Sequence, residues 1–146
     1  MSTRLYTQNL DVQIAQKQVV RGLDLQIKSG EIWAVLGQNG IGKTTLLHTL
    51  AGLRNPDVGL IGLDHLPLQQ WKPRQRAQHL GLLPQRTEDV FNQSVLDVTL
   101  SGRYPYVPLW QSLGADDFEH AHAALAALDL SELSERDVRQ LSGGER

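Results

Sequence analysis

Five apolar residues, Ile32-Trp33-Ala34-Val35-Leu36, run straight into Gly37-Gln38-Asn39-Gly40-Ile41-Gly42-Lys43-Thr44-Thr45. Apolar positions at helical spacing (Leu46, Leu47, Leu50, Leu53) follow at once. The glycine-rich stretch fits G-x-x-x-x-G-K-[ST], a pattern that binds nucleotide phosphates when it links a strand to a helix. Glycines at 37, 40 and 42 let backbone N–H groups turn inward without Cβ clashes. Those amides, with the positive end of the helix behind them, stabilise anionic oxygens. Gly37, Asn39, Gly40, Gly42, Lys43, Thr44 and Thr45 are therefore the candidate contacts to the phosphates of ATP. Lys43 reaches the β and γ phosphates as a point charge, and the Thr44 hydroxyl ligates Mg²⁺.

The order of elements agrees with an α/β fold of the P-loop class. Leu23, Leu25 and Ile27 alternate with Asp24, Gln26 and Lys28, as in a half-buried strand, and Ser29-Gly30 is a turn. The run from Ile32 to Leu36 reads as a strand covered on both faces, with Trp33 in its core. The helix from Lys43 to Leu53 is weakened at Gly52, and Pro56 lies beyond it. Two further apolar runs, Val58 to Leu63 and Leu80 to Leu83, read as strands separated by a short broken helix. Residues 86–94 are polar and loop-like, Val95 to Leu100 a short helix, and 103–112 an irregular aromatic stretch. Asp116 to Leu128 is a helix, its first turn favoured by Asp116, Asp117 and Glu119. Trp71 and Trp110 are assigned to packed loops. Residues 1–85 are thus the N-terminal part of an α/β core, and residues 86–146 a helical subdomain inserted into it.

Composition narrows the chemistry. The formal net charge is −2 and no like-charge run is long, so no footprint for nucleic acid is visible. Without cysteine there are no disulfides, thiolate metal sites or cysteine nucleophiles. His120 and His122 are two apart on a helix and do not share a face, so no zinc site is expected. No apolar stretch approaches the length of a membrane span, and Met1 to Tyr6 lacks the apolar centre of a signal peptide. The expected location is cytoplasmic, with any membrane role exercised through a partner.

About a hundred residues after the glycine loop stands Leu141-Ser142-Gly143-Gly144-Glu145-Arg146, which resembles the signature sequence of the ATP-binding cassette (ABC) family. The resemblance to the nucleotide-binding subunits of ABC transporters runs over essentially the whole chain. It implies that Gln85, in Leu82-Leu83-Pro84-Gln85, contacts Mg²⁺ and the attacking water and couples the site to a membrane subunit. It implies that Ser142, Gly143 and Gly144 close on the ATP of an opposite subunit in a head-to-tail dimer, with Ser142 also the N-cap of a helix. Leu100-Ser101-Gly102-Arg103-Tyr104-Pro105-Tyr106 resembles the corresponding segment in importers of iron–siderophore, haem and cobalamin. Residues near 86–106 would then dock the transmembrane permease subunits, placing the protein peripherally at the cytoplasmic face of the inner membrane.

The resemblance has gaps. The strand ending in the metal-holding aspartate, the catalytic glutamate after it, the dimer-contact aspartate loop and the switch histidine all follow the signature in the family. Ala126-Ala127-Leu128-Asp129 is followed by Leu130 rather than an acid. Leu60-Ile61-Gly62-Leu63-Asp64 is followed by His65 and belongs to an earlier strand. Neither supplies the missing aspartate. The missing strand would neighbour residues 32–36, so the expectation is a central apolar strand with an unpaired edge. Residues 1–146 alone are expected to fold poorly, bind ATP weakly and not hydrolyse it. Ile14 stands where the family stacks adenine on an aromatic ring, which leaves ATP-over-GTP selectivity without its usual basis.

Three alternatives use the same motifs differently. A cassette protein acting on nucleic acid or the ribosome would be marked by long coiled-coil insertions or a second cassette; the sequence shows neither, nor a basic surface. A phosphotransferase kinase would need the glycine loop but neither Gln85 nor Ser142-Gly143-Gly144. An inactive truncated cassette would keep the family fold without its activity.

Overall fold

The computed structural model describes residues 3–85 and 92–145. The chain divides into two compact units, Met1–Leu82 and Leu83–Arg146.

The first unit is built on four antiparallel strands in the order β2-β1-β3-β4: β1 (Thr3–Ile14), β2 (Lys17–Lys28), β3 (Val58–Leu63) and β4 (Leu66–Pro67). Residues 15 and 16 join β1 to β2 in a tight hairpin, with Ala15 in the left-handed region at φ 53°. The alternation read from the sequence is realised: Leu23, Leu25 and Ile27 are partly buried between exposed Asp24, Gln26 and Lys28. Helix α1 (Lys43–Leu50) lays Leu46 and Leu50 on the core of Leu10, Val12, Ile61 and Leu63. Leu47 and Leu53, on the same helical pattern, face solvent instead. A 3-10 turn (Leu68–Gln70) and helix α2 (Pro73–His79) complete the unit, the short broken helix expected between two apolar runs.

Two expected strands do not form. Ile32 to Leu36 has no strand partner among the described residues, and Ile32 and Leu36 keep 100% and 89% of their surface exposed. Trp33 is exposed rather than core. Leu80 to Leu83 is likewise unpaired, with Leu83 90% exposed. The physical reason is that an apolar run records a tendency to be buried, whereas a strand exists only when neighbours accept its N–H and C=O groups. The expected edge strand is therefore an unpaired, uncovered segment.

Register in the sheet depends on a bulge at Asn9. Pairing slips between Thr7 and Leu10 on one side and between Gln8 and Asp11 on the other, and Asn9 sits at φ 46° with its N–H donated to Asp24 Oδ1 at 2.7 Å. Opposite it, Gly59 lies at φ 81°, and a Cβ there would collide with the Gln8 and Asn9 carbonyl oxygens. Gly59→Ala combines left-handed strain with a backbone clash. It is expected to lower stability by about 2–5 kcal/mol in denaturant titrations. A loss below about 1 kcal/mol would mean that the bulge yields.

The second unit pairs helix α3 (Val95–Ser101) with helix α4 (Ala115–Ala127) over Val95, Leu125 and Val138. Both helices match their sequence expectation, and both begin with an acid that returns to the cap. Ser94 accepts from Asp97 N–H through Oγ at 3.0 Å while its own N–H donates to Asp97 at 3.0 Å. Gly114 N–H donates to Asp117 at 3.0 Å, and Arg103 grips the same carboxylate at 2.9 Å. Residues 103–110 are irregular, as expected, but Trp110 is exposed rather than packed. Residues 86–91, part of the stretch expected to be loop-like and to dock a partner, lie outside the described residues.

Short 3-10 turns (Ser131–Leu133 and Val138–Gln140) then lead toward Ser142. Asp137 caps the second of these, accepting from the Arg139 N–H and guanidinium, and those hydrogen bonds hold its carboxyl down at about 2. A depressed carboxyl stabilises the fold above its unfolded value and loses that contribution as pH falls through the folded one. Stability measured by denaturant midpoint is therefore expected to fall between about pH 4 and 2, and less steeply in Asp137→Asn. Parallel curves for parent and variant would contradict the assignment.

Candidate functional site

The phosphate loop grows out of the end of β2. Lys28 and Glu31 close the Ser29-Gly30 turn: Glu31 N–H donates to Lys28 O at 3.2 Å, and Lys28 N–H donates to Glu31 Oε2 at 2.9 Å. Trp33 Nε1 donates to the same carboxylate oxygen at 2.9 Å. The backbone bond from Lys28, then that from Trp33, hold the Glu31 carboxyl below its usual range. The uncovered segment 32–36 carries the chain to Gly37.

Gly40 (φ 74°) and Gly42 (φ 114°) both use left-handed backbone. Gly42 is required on two counts, because a Cβ there would also fall 2.6 Å from the methyls of Val19 on β2. Ile41 N–H donates to Gln38 O at 3.3 Å inside the loop. Lys43 folds back onto the loop, its Nζ donating to Gly37 O at 2.8 Å and Gln38 O at 2.9 Å. The ammonium is thus held at the mouth of the loop by neutral carbonyls, with no carboxylate to neutralise it among the described residues.

The start of α1 differs from the starts of α3 and α4. Gly42 is its N-cap, no side chain caps it, and its first turn holds no acid. An α-helix leaves its first N–H groups without partners and concentrates positive potential there. In α3 Ser94 Oγ accepts from the Asp97 N–H while Asp97 accepts from the Ser94 N–H, and in α4 Asp117 accepts from the Gly114 N–H. In α1 the demand is left for something else, and Lys43 lies in the same turn. Thr44 is exposed and Thr45 half-buried in that turn, while Thr49 is fully buried and bonds back to Thr45 O at 2.8 Å. Gly37, Asn39 and Gly40 are exposed.

The remaining candidates belong to the second unit. Gln85 is exposed in a bend. Ser142, Gly143 and Gly144 are exposed as well. Ser142 N–H donates to Glu145 Oε2 at 2.8 Å and Glu145 N–H approaches Ser142 Oγ at 3.4 Å, the reciprocal pattern of a capping box. The Ser142 hydroxyl, then its backbone N–H, hold the Glu145 carboxyl below its usual range. Glu145 was not singled out from the sequence, although Ser-x-x-Glu is itself the signal for such a cap. Lys17 was also missed; its Nζ donates to Gly40 O at 3.2 Å, and no local sequence pattern marks a contact across that separation.

Among the described residues no cluster of three His, Cys, Asp or Glu side chains could cage a metal ion. A magnesium ion carried by a nucleotide does not require one: it takes phosphate oxygens, waters and one or two protein oxygens. The exposed hydroxyl of Thr44 is an oxygen of that kind.

A glycine loop leading into an uncapped helix, with a lysine held at its mouth, defines a P-loop nucleotide-binding fold. The sequence pattern of the ABC transporter family matches residues 20–146, and the chain belongs to that family. The hemin import ATP-binding protein HmuV of Myxococcus xanthus (strain DK1622) is 44% identical over 124 residues, covering 85% of this chain and 46% of that protein. The petrobactin import ATP-binding protein FpuD of Bacillus anthracis is 38% identical over 146 residues, covering 100% of this chain and 54% of that protein. The chain spans about half the length of these curated relatives. A solved metal-chelate type ABC transporter in an inward-facing conformation superposes with a TM-score of 0.82 at 33% identity, over 100% of this chain and 52% of that one. A nucleotide-free ATP-binding cassette from an ABC transporter superposes at 0.76 with 22% identity, over 98% and 60% of the two chains, a likeness of fold. The fold is therefore that of part of an ABC cassette, mixed α/β and of the P-loop class.

Proposed function

We propose that this chain is the nucleotide-binding portion of the ATPase subunit of an importer for a metal chelate such as haem, a ferric siderophore or cobalamin. The observation that carries the ATP-binding role is the uncapped, acid-free start of α1 beside an ammonium held only by loop carbonyls. An incoming triphosphate offers both groups a better partner: its oxygens accept the free N–H groups, and Lys43 exchanges neutral carbonyls for anionic oxygen. The cargo class rests on relatives named for hemin and petrobactin import and on a structural neighbour of metal-chelate type.

The remaining roles follow the family resemblance. Gly37, Asn39, Gly40, Gly42, Lys43, Thr44 and Thr45 bind the phosphates. Thr44 and Gln85 would be the residues to hold Mg²⁺, which would supply positive charge to the phosphate oxygens. Gln85 orients water and senses the membrane subunit. Ser142, Gly143 and Gly144 face the ATP of a second subunit in a head-to-tail dimer, and the Ser142–Glu145 cap supports this by fixing the backbone just where its N–H groups would be offered. Docking of a transmembrane permease near residues 86–106 is supported from 92 onward by large apolar side chains left in solvent. Tyr104 and Tyr106 are exposed, and Leu109 and Trp110 beyond them keep 93% and 90% of their surface. No helix among the described residues is long and apolar enough to cross a membrane; the place at the cytoplasmic face of the inner membrane follows the family resemblance.

The test uses the complete protein that carries these residues, assembled with its permease in vesicles. Vesicles are expected to take up hemin, a ferric siderophore or cobalamin only with MgATP. Lys43→Ala is expected to weaken MgATP binding by about tenfold to a hundredfold and to bring uptake to background. Undiminished ATP binding in Lys43→Ala would overturn the nucleotide site; ATP-driven uptake of none of the three cargoes would overturn the importer assignment.

A further inference from the structure

The nucleotide end of the first unit contains a second ammonium that the family motifs do not include. Ile14 and Lys17 are the last directly opposed pair of the β1–β2 hairpin, so their side chains leave the same face of the ribbon. From there Lys17 Nζ donates to the carbonyl of Gly40 at 3.2 Å. Val19, two residues further along β2 at the register shift between the Gln13–Gln18 and Val12–Val20 pairs, packs against the bare α-carbon of Gly42. The start of β2 thus touches the loop twice, once at each of its last two glycines.

The peptide between Gly40 and Ile41 is consequently fixed from both ends: its oxygen by Lys17, its N–H by Gln38 O at 3.3 Å. A free carbonyl in a phosphate cradle can swing inward and repel the ligand. An ammonium holding that oxygen prevents the swing and leaves a positive charge next to it. Like Lys43, Lys17 has no carboxylate partner among the described residues, so its charge is not cancelled locally.

We propose that Lys17 is a positioning residue of the nucleotide site, orienting the phosphate loop through the Gly40 carbonyl and raising its affinity for the polyphosphate. The proposal rests on the phosphate-loop assignment above. It also gives the hairpin a division of labour: Ile14 offers an aliphatic surface without stacking geometry, while Lys17 acts on the phosphate end. Affinity at this site is set by the phosphates more than by the base.

The test measures MgATP, MgGTP and adenosine binding by calorimetry in the complete protein, for the parent, Lys17→Met, Lys17→Arg and Lys43→Ala, with unfolding midpoints as a check on folding. Lys17→Met is expected to weaken MgATP and MgGTP by about five- to tenfold, with little change for adenosine. The deficit is expected to shrink in 0.5 M salt, where the Debye length is about threefold shorter than in 0.05 M. Lys17→Arg is expected to stay within about twofold of the parent. Lys17→Met within about twofold of the parent, or equal weakening of adenosine and ATP, would overturn the proposal. Failure of the phosphate-loop assignment itself is recognised separately, by undiminished MgATP binding in Lys43→Ala.

Discussion

Val19 sits so close to the α-carbon of Gly42 that no side chain fits between them. This contact sets where α1 begins relative to the sheet, because Gly42 is both the last residue of the glycine loop and the N-cap of the helix. With β2 pressed against that point, Leu46 and Leu50 fall on the sheet core one and two turns later. The N–H groups of the first turn remain outside the core, uncapped by any side chain. A residue larger than glycine at 42 would push the helix away and move the site with it. Packing and chemistry are joined in a single residue.

The same unit shows what strands require. β1 and β2 satisfy each other's hydrogen bonds along most of their length, and β3 completes the far side of β1. Ile32 to Leu36 is more apolar than either, yet it finds no partner among the described residues and lies in solvent. A large exposed apolar surface is costly and invites association. Leu83 repeats the pattern at the end of the other unpaired run. These two segments are where further strands would add the most stability, since covering them removes apolar surface and pairs backbone groups together.

The parts of the fold legible in the sequence are those with local causes. Alternation marked β2, and an acidic first turn marked α4. The glycine loop was legible because each glycine is demanded by backbone geometry that other residues resist. The errors came where burial was taken for pairing, at 32–36 and 80–83, and where aromatic character was taken for packing, at Trp33 and Trp110. Contacts distant in sequence left no local signal: Lys17 on Gly40, and Arg103 on Asp117. Glu145 is a different case, because its three-residue spacing from Ser142 is itself a local cap signal in the sequence. Family resemblance reaches the fold and the class of protein; the contacts made by individual site residues exist only in the folded structure.

The central claim is that Lys43 and the free N–H groups of α1 are held in wait for a triphosphate. A crystal structure of the complete protein with Mg²⁺ and a non-hydrolysable ATP analogue tests it most directly. The account predicts Lys43 Nζ released from the Gly37 and Gln38 carbonyls and bound to phosphate oxygen, with the first-turn amides of α1 on the same anion. A nucleotide bound elsewhere, or Lys43 still resting on those two carbonyls beside the phosphates, would contradict it.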